Sequence, residues 1–169
     1  GDRMGVFVVD YEGGLPGKLQ TEGNRANNMC YTYNEENSTW RGAGTIYWRD
    51  KNTPVDVYGY YPFENVVSSI ENYEFEVKIN QNKKAEGGDM STYEASDFLY
   101  AVKKGVTSEG GEVRLPFKHK MSKLTVNIIK GEDFEGDIPE DMTVYIHSTV
   151  ADCLIDLSTG DVVKDPHAS

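Results

Sequence analysis

The chain has 169 residues, and 17 Lys and Arg against 28 Asp and Glu leave it at −11 at neutral pH. That length fits one domain with a core of its own, and the acidic balance excludes the clustered Lys and Arg that a nucleic-acid surface requires. No apolar run nears the ~20 residues that span a bilayer; the longest, residues 4–9, is the size of a strand.

Along the chain the apolar residues recur at every second position, the signature of half-buried strands rather than helices. In order, the predicted strands are residues 4–11, 29–33, 45–49, 55–61, 73–79, 98–102, 113–117, 124–128, 143–147 and 153–157. They are rich in Val, Ile, Tyr and Phe, which suit a pleated surface. In 73–79, Tyr73, Phe75, Val77 and Ile79 fall on one face and Glu74, Glu76 and Lys78 on the other. Leu124, Val126 and Ile128 alternate with Thr125 and Asn127 in the same way. Pro116 has no N–H for a ladder, so the strand that holds it is an edge or bulges there. Gly- and Asp-containing turns at 12–14, 50–54, 85–89, 109–111 and 158–161 separate these strands. Residues 65–72 and 91–96 have room for one or two helical turns, 80–92 reads as a mobile loop, and 164–169 as a frayed tail. Many short strands divided by turns predict an all-β antiparallel β-sandwich with little helix, occupying residues 1–163.

The chemistry-bearing residues form no recognisable catalytic set. His119, His147 and His167 are spaced without an i, i+4 pair, and His119 lies between two lysines, so no zinc motif is present. Cys30 and Cys153 are too far apart in sequence for a zinc knuckle or a redox CxxC, and they fit either one disulfide or two buried thiols. No GxSxG elbow, Ser-x-x-Lys set or phosphate-binding loop occurs, and Gly42-Ala43-Gly44 is too short for a dinucleotide fingerprint. Asp10 with Glu12, Asp50 with Asp56, and Asp133 with Glu135 are pairs that a solvated acidic face supplies by chance. A calcium site would need a loop of spaced oxygen ligands, and no DxDxDG pattern exists. The reading is therefore of a protein that is not an enzyme and takes no cofactor or metal.

Aromatic residues concentrate between Trp40 and Phe63. On a sandwich surface, Trp40, Trp48, Tyr58 and Tyr60 can stack on sugar rings, which gives a carbohydrate-binding module of a surface glycan system as an alternative function. The competing expectation is that these rings fill the interior, with Val55, Val57 and Tyr61 on one face of a strand and Tyr58 and Tyr60 on the other.

Five segments, in this order, resemble the Bacteroidales fimbrillin-like (Mfa-like) family of surface proteins. They are residues 1–11 (GDRMGVFVVDY), 47–63 (YWRDKNTPVDVYGYYPF), 96–101 (SDFLYA), 115–128 (LPFKHKMSKLTVNI) and 157–162 (LSTGDV). The resemblance implies a transthyretin-like sandwich, the first of two tandem domains, in an exported lipoprotein shown on the outer membrane and cell surface. It implies a stalk, tip or anchor subunit of a pilus that works in adhesion, with neighbouring subunits, and a host or bacterial surface ligand, as partners. Such subunits assemble by strand donation after a protease removes an N-terminal strand, which is a form of β-augmentation. In this setting His119 is architectural, and Leu124, Val126 and Ile128 line part of the groove that accepts the strand. The lipobox, the removed strand and the second domain are not among these 169 residues, and Arg3 is not taken as the cleavage position. The chain therefore reads as a trimmed or processed piece that presents an open groove or an unpaired edge.

Overall fold

A computed structural model describes residues 2–84 and 90–168. Among them are ten strands: β1 (Arg3–Glu12), β2 (Leu15–Pro16), β3 (Ala26–Asn34), β4 (Thr39–Gly42), β5 (Val55–Tyr61), β6 (Tyr73–Glu76), β7 (Leu99–Val106), β8 (Lys118–His119), β9 (Asp152–Asp156) and β10 (Asp161–Lys164). Two single 3-10 turns, Glu94–Ser96 and Ser108–Gly110, are the described helical elements. The larger sheet runs β4-β3-β1-β5-β7-β8, with β2 hairpinned onto β1; the smaller runs β10-β9-β6. Every pairing is antiparallel. The all-β antiparallel sandwich predicted from the alternation is the fold observed.

The strand β1 sits at the centre of the larger sheet, and six consecutive residues from Met4 to Val9 are buried. Such a run needs cover on both faces of the sheet. On the inner face, Phe7 and Val9 meet Tyr58, Tyr60 and Tyr100 of the same sheet, closed over by Tyr73 and Ile155 of the smaller sheet and by Phe98. Rings dominate this core. Tyr60 lies 5.5 Å from Tyr73 and 6.2 Å from Phe98, centroid to centroid, in the tilted and offset geometries that aromatic quadrupoles favour. Gly5 makes the space: a Cβ there would stand 2.1 Å from the Tyr60 ring. The Tyr60 hydroxyl donates to Asn28 Oδ1 at 2.8 Å, so the buried phenol is not left unpaired.

On the outer face, Met4, Val6, Val8, Val55 and Val57 form a second cluster, covered by Ile46, Leu115 and Phe117 from loops. Here the sequence expectation is corrected. Residues 113–117 form no strand: the Phe117 N–H donates to Leu115 O across Pro116, and the tight turn drives Leu115 and Phe117 down onto Gly59. Residues 45–49 form no strand either. Past Ala43, whose N–H donates to Cys30 O, the chain leaves the sheet, Ile46 tucks inward and Tyr47 faces solvent. The predicted strand at 73–79 ends its ladder at Glu76, and Ile79 is exposed. Of the two helical expectations, 65–72 is not helical and 91–96 keeps a single turn at its end. Lys164 belongs to β10 and pairs with Cys153, so the tail starts one residue later than expected. The turn at 85–89 lies outside the described residues, as do Gly1 and Ser169.

Among the described residues, one charged side chain lies inside. Asp56 is 1% exposed, where β5 and β7 lose register between Val55 and Val57. Gly105 takes the bulge with φ +64°, a conformation that glycine adopts without a Cβ penalty. Its N–H donates to Asp56 Oδ1 at 2.9 Å, and the Tyr11 hydroxyl donates to the same oxygen at 3.0 Å. The carboxylate thus replaces the carbonyl that the bulge takes out of the ladder. Both cysteines are free thiols: Cys30 is half-buried, and buried Cys153 points its thiol at Phe75 O, 3.5 Å away.

Candidate functional site

The residues expected to form the strand-accepting groove stand outside both sheets. Leu124, Val126 and Ile128 are 67%, 50% and 45% exposed and belong to no ladder. This corrects the predicted strand at 124–128. The reason is local: β8 is two residues long, the Lys120 N–H makes a last bond to Phe98 O, and from there the chain departs from the sheet. The same holds for 143–147, where Val144, Tyr145 and Ile146 are exposed and unpaired. Between residues 121 and 150 no strand occurs.

Of the four aromatic residues considered for sugar stacking, the structure separates two from two. Tyr58 and Tyr60 are core residues on the inner face, out of reach of any ligand, because their strand is covered on both sides. Trp40 and Trp48 are 40% and 39% exposed. Trp40, in β4, packs at 5.3 Å against Tyr33 of β3.

Trp40 also belongs to a hollow of about 240 Å³ on the outer face, at the end of the larger sheet. Met4, Leu99 and Phe117 give it an apolar floor, and Trp40, Tyr61 and Tyr93 give aromatic walls. Asp2, Glu94 and Asp97 bring three carboxylates to it. The 3-10 turn sets Glu94 and Asp97: the Asp97 N–H donates to Glu94 O, and the Glu94 carboxylate accepts from the Ser91 hydroxyl and N–H at 2.8 and 2.9 Å. Those bonds, the hydroxyl first, hold the Glu94 carboxyl below its ordinary range. Ser96 anchors the turn, donating to Thr92 O and accepting from the Lys78 N–H at the end of the smaller sheet. Asp97 faces His119 Nδ1 at 2.8 Å. The Tyr61 hydroxyl is pushed up to about 12, first by desolvation and then by the charges of Asp2, Glu94 and Asp97. No spacing rule finds this hollow, because its members come from separate stretches of chain; of them only Trp40 is among the four rings that the sequence offers for sugar stacking.

Among the described residues, no group of three or more His, Cys, Asp and Glu side chains is placed to hold a metal ion. No helix among them is long and apolar enough to cross a membrane.

The two facing antiparallel sheets define an all-β sandwich. The chain belongs to the fimbrillin-like family, whose model matches residues 1–168. That family comprises structural and adhesion proteins. No curated protein matches the chain. A crystal structure from Bacteroides uniformis ATCC 8492, of a protein provisionally named for cell adhesion, superposes with a TM-score of 0.50 at 21% identity. The match covers 71% of this chain and 41% of the longer one, so the likeness is one of fold.

Proposed function

We propose that the chain is a structural and adhesive subunit of a cell-surface pilus, exported to the outer membrane, and that it joins neighbouring subunits by strand exchange. The observation that carries this reading is the segment 121–150. It keeps the alternating pattern of a strand at Leu124, Val126 and Ile128, yet leaves those side chains in water and its backbone without a ladder. An apolar strand without a partner invites another polypeptide alongside: N–H and C=O groups give the attraction, and alternate side chains give register. Among the described residues, β6 and β10 are each paired on one side only. The outer edge of β7 meets β8 only at Leu99 and Tyr100, and beyond it Lys103, Lys104 and the Gly105 bulge discourage non-specific pairing. Within the family setting, residues 1–163 act as the N-terminal of two sandwich domains.

Sedimentation equilibrium tests the reading. Association should increase with protein concentration, and Val126→Lys with Ile128→Lys should leave a monomer with an unchanged circular dichroism spectrum. A wild-type chain that stays monomeric at every concentration, or variants that associate as the wild type does, would overturn it.

The carbohydrate-binding alternative keeps two partly exposed indoles in its favour, Trp40 and Trp48. On a glycan array it requires a measurable sugar affinity that both Trp40→Ala and Trp48→Ala remove.

A further inference from the structure

No residue of segment 121–150 lines the hollow beside Trp40, although Lys123 of that segment reaches its rim, and nothing in pilus assembly by strand exchange accounts for it. Its size comes first. Pockets for drug-sized ligands enclose roughly 300–1,000 Å³, so a hollow of about 240 Å³ suits one side chain better than an oligosaccharide. Its chemistry comes second. An apolar floor and aromatic walls accept a flat or methylene-rich group, while three carboxylates demand positive charge. Among the described residues, none of the side chains lining it is basic. Two of the protein's own basic groups lean on its rim from outside: Lys123 Nζ lies 5.3 Å from the centroid of the Tyr93 ring, and His119 meets Asp97.

We propose that this hollow binds the guanidinium of an arginine side chain presented by a partner polypeptide. Guanidinium is the group that meets both requirements at once. It is planar, it stacks on aromatic faces, and its five N–H donors can serve several carboxylates together. An ammonium offers three donors from one point and holds its water more tightly. The carboxylates steer the cation in, and the rings exclude water from around it once it has arrived.

The test follows the Trp40 indole N–H by NMR while the whole chain is titrated with N-acetyl-arginine amide, and in parallel with N-acetyl-citrulline amide. The citrulline compound keeps the shape and loses the charge. Arginine should give a saturable shift, weakened by added salt, and citrulline should bind at least about fivefold more weakly, as expected when one cation–π contact or more is lost. Glu94→Gln combined with Asp97→Asn should weaken arginine by a similar factor. Tyr93 is half exposed, so Tyr93→Ala is a second variant that leaves the core intact, and it should also weaken binding. Equal binding of citrulline, or no saturable shift at Trp40 in a chain whose near-ultraviolet dichroism is native, would overturn the proposal. Both results are independent of self-association, so the pilus reading and this one can fail separately.

Discussion

Residues 55–61 and 124–128 both read as strands in the sequence and end differently. Val55–Tyr61 is buried almost throughout, paired with β1 on one side and β7 on the other. Leu124, Val126 and Ile128 alternate with Thr125 and Asn127 and lie in water. Alternation therefore states which face a strand would bury; it does not supply the neighbour that makes it a strand. β5 has two neighbours close in the fold, whereas 124–128 follows a two-residue strand that releases the chain.

The sharpest way to break the comparison is to truncate one side chain of the core that β5 packs into and one of the exposed segment. Phe98 is fully buried between the sheets, and Phe98→Ala should cost about 3–5 kcal/mol in urea unfolding. Ile128→Ala should stay within about 0.5 kcal/mol, the range of exposed positions. Comparable losses at both would mean that segment 121–150 is part of the folded core. Next in size is Gly59→Ala. Its new Cβ would stand 2.8 Å from Phe117 and 3.0 Å from Leu115, so the cover of the outer face must shift, at about 1–3 kcal/mol. A neutral result there would show that the cover is loose.

The aromatic core adds a pH dependence. Burial pushes the Tyr58 and Tyr60 hydroxyls up to about 12. A tyrosine whose folded pKa lies above its unfolded value near 10 binds its proton more tightly when folded. Its contribution is therefore complete below pH 10 and is lost as pH rises from there towards 12. Ultraviolet titration should show these phenols ionising late, in step with loss of the near-ultraviolet dichroism. A single step near pH 10 with a native spectrum would contradict the buried placement. The smallest effect is expected at Arg25, whose guanidinium pairs with Asp10 on the rim of β1. Arg25→Ala should cost less than about 1 kcal/mol and fade with salt.

Much of this fold could be read in advance. The strands that the alternation located correctly, at residues 4–11, 29–33, 55–61, 98–102 and 153–157, all contribute side chains to one of the two core clusters. Where it failed, at 45–49 and 113–117, the chain has left the sheet after Ala43 or turns at Pro116, and Ile46, Leu115 and Phe117 serve as plugs rather than ladder members; at 124–128 and 143–147 the chain has left β8 and meets no partner strand. The sugar-stacking set failed differently. Tyr58 and Tyr60 look like Trp40 and Trp48 in a window of sequence, and only cover on both faces of β5 separates core from surface. The hollow had no signature because Asp2, Trp40, Tyr61 and Asp97 converge from four separate stretches.

The account turns on a strand that waits for its neighbour, and amide hydrogen exchange reads that directly. In dilute monomer, the amides of Leu124, Val126 and Ile128 should exchange at nearly unfolded rates while those of Phe7 and Tyr58 are protected, and on self-association the first group should become protected. Protection of that group already in the monomer, or none after assembly, would contradict it.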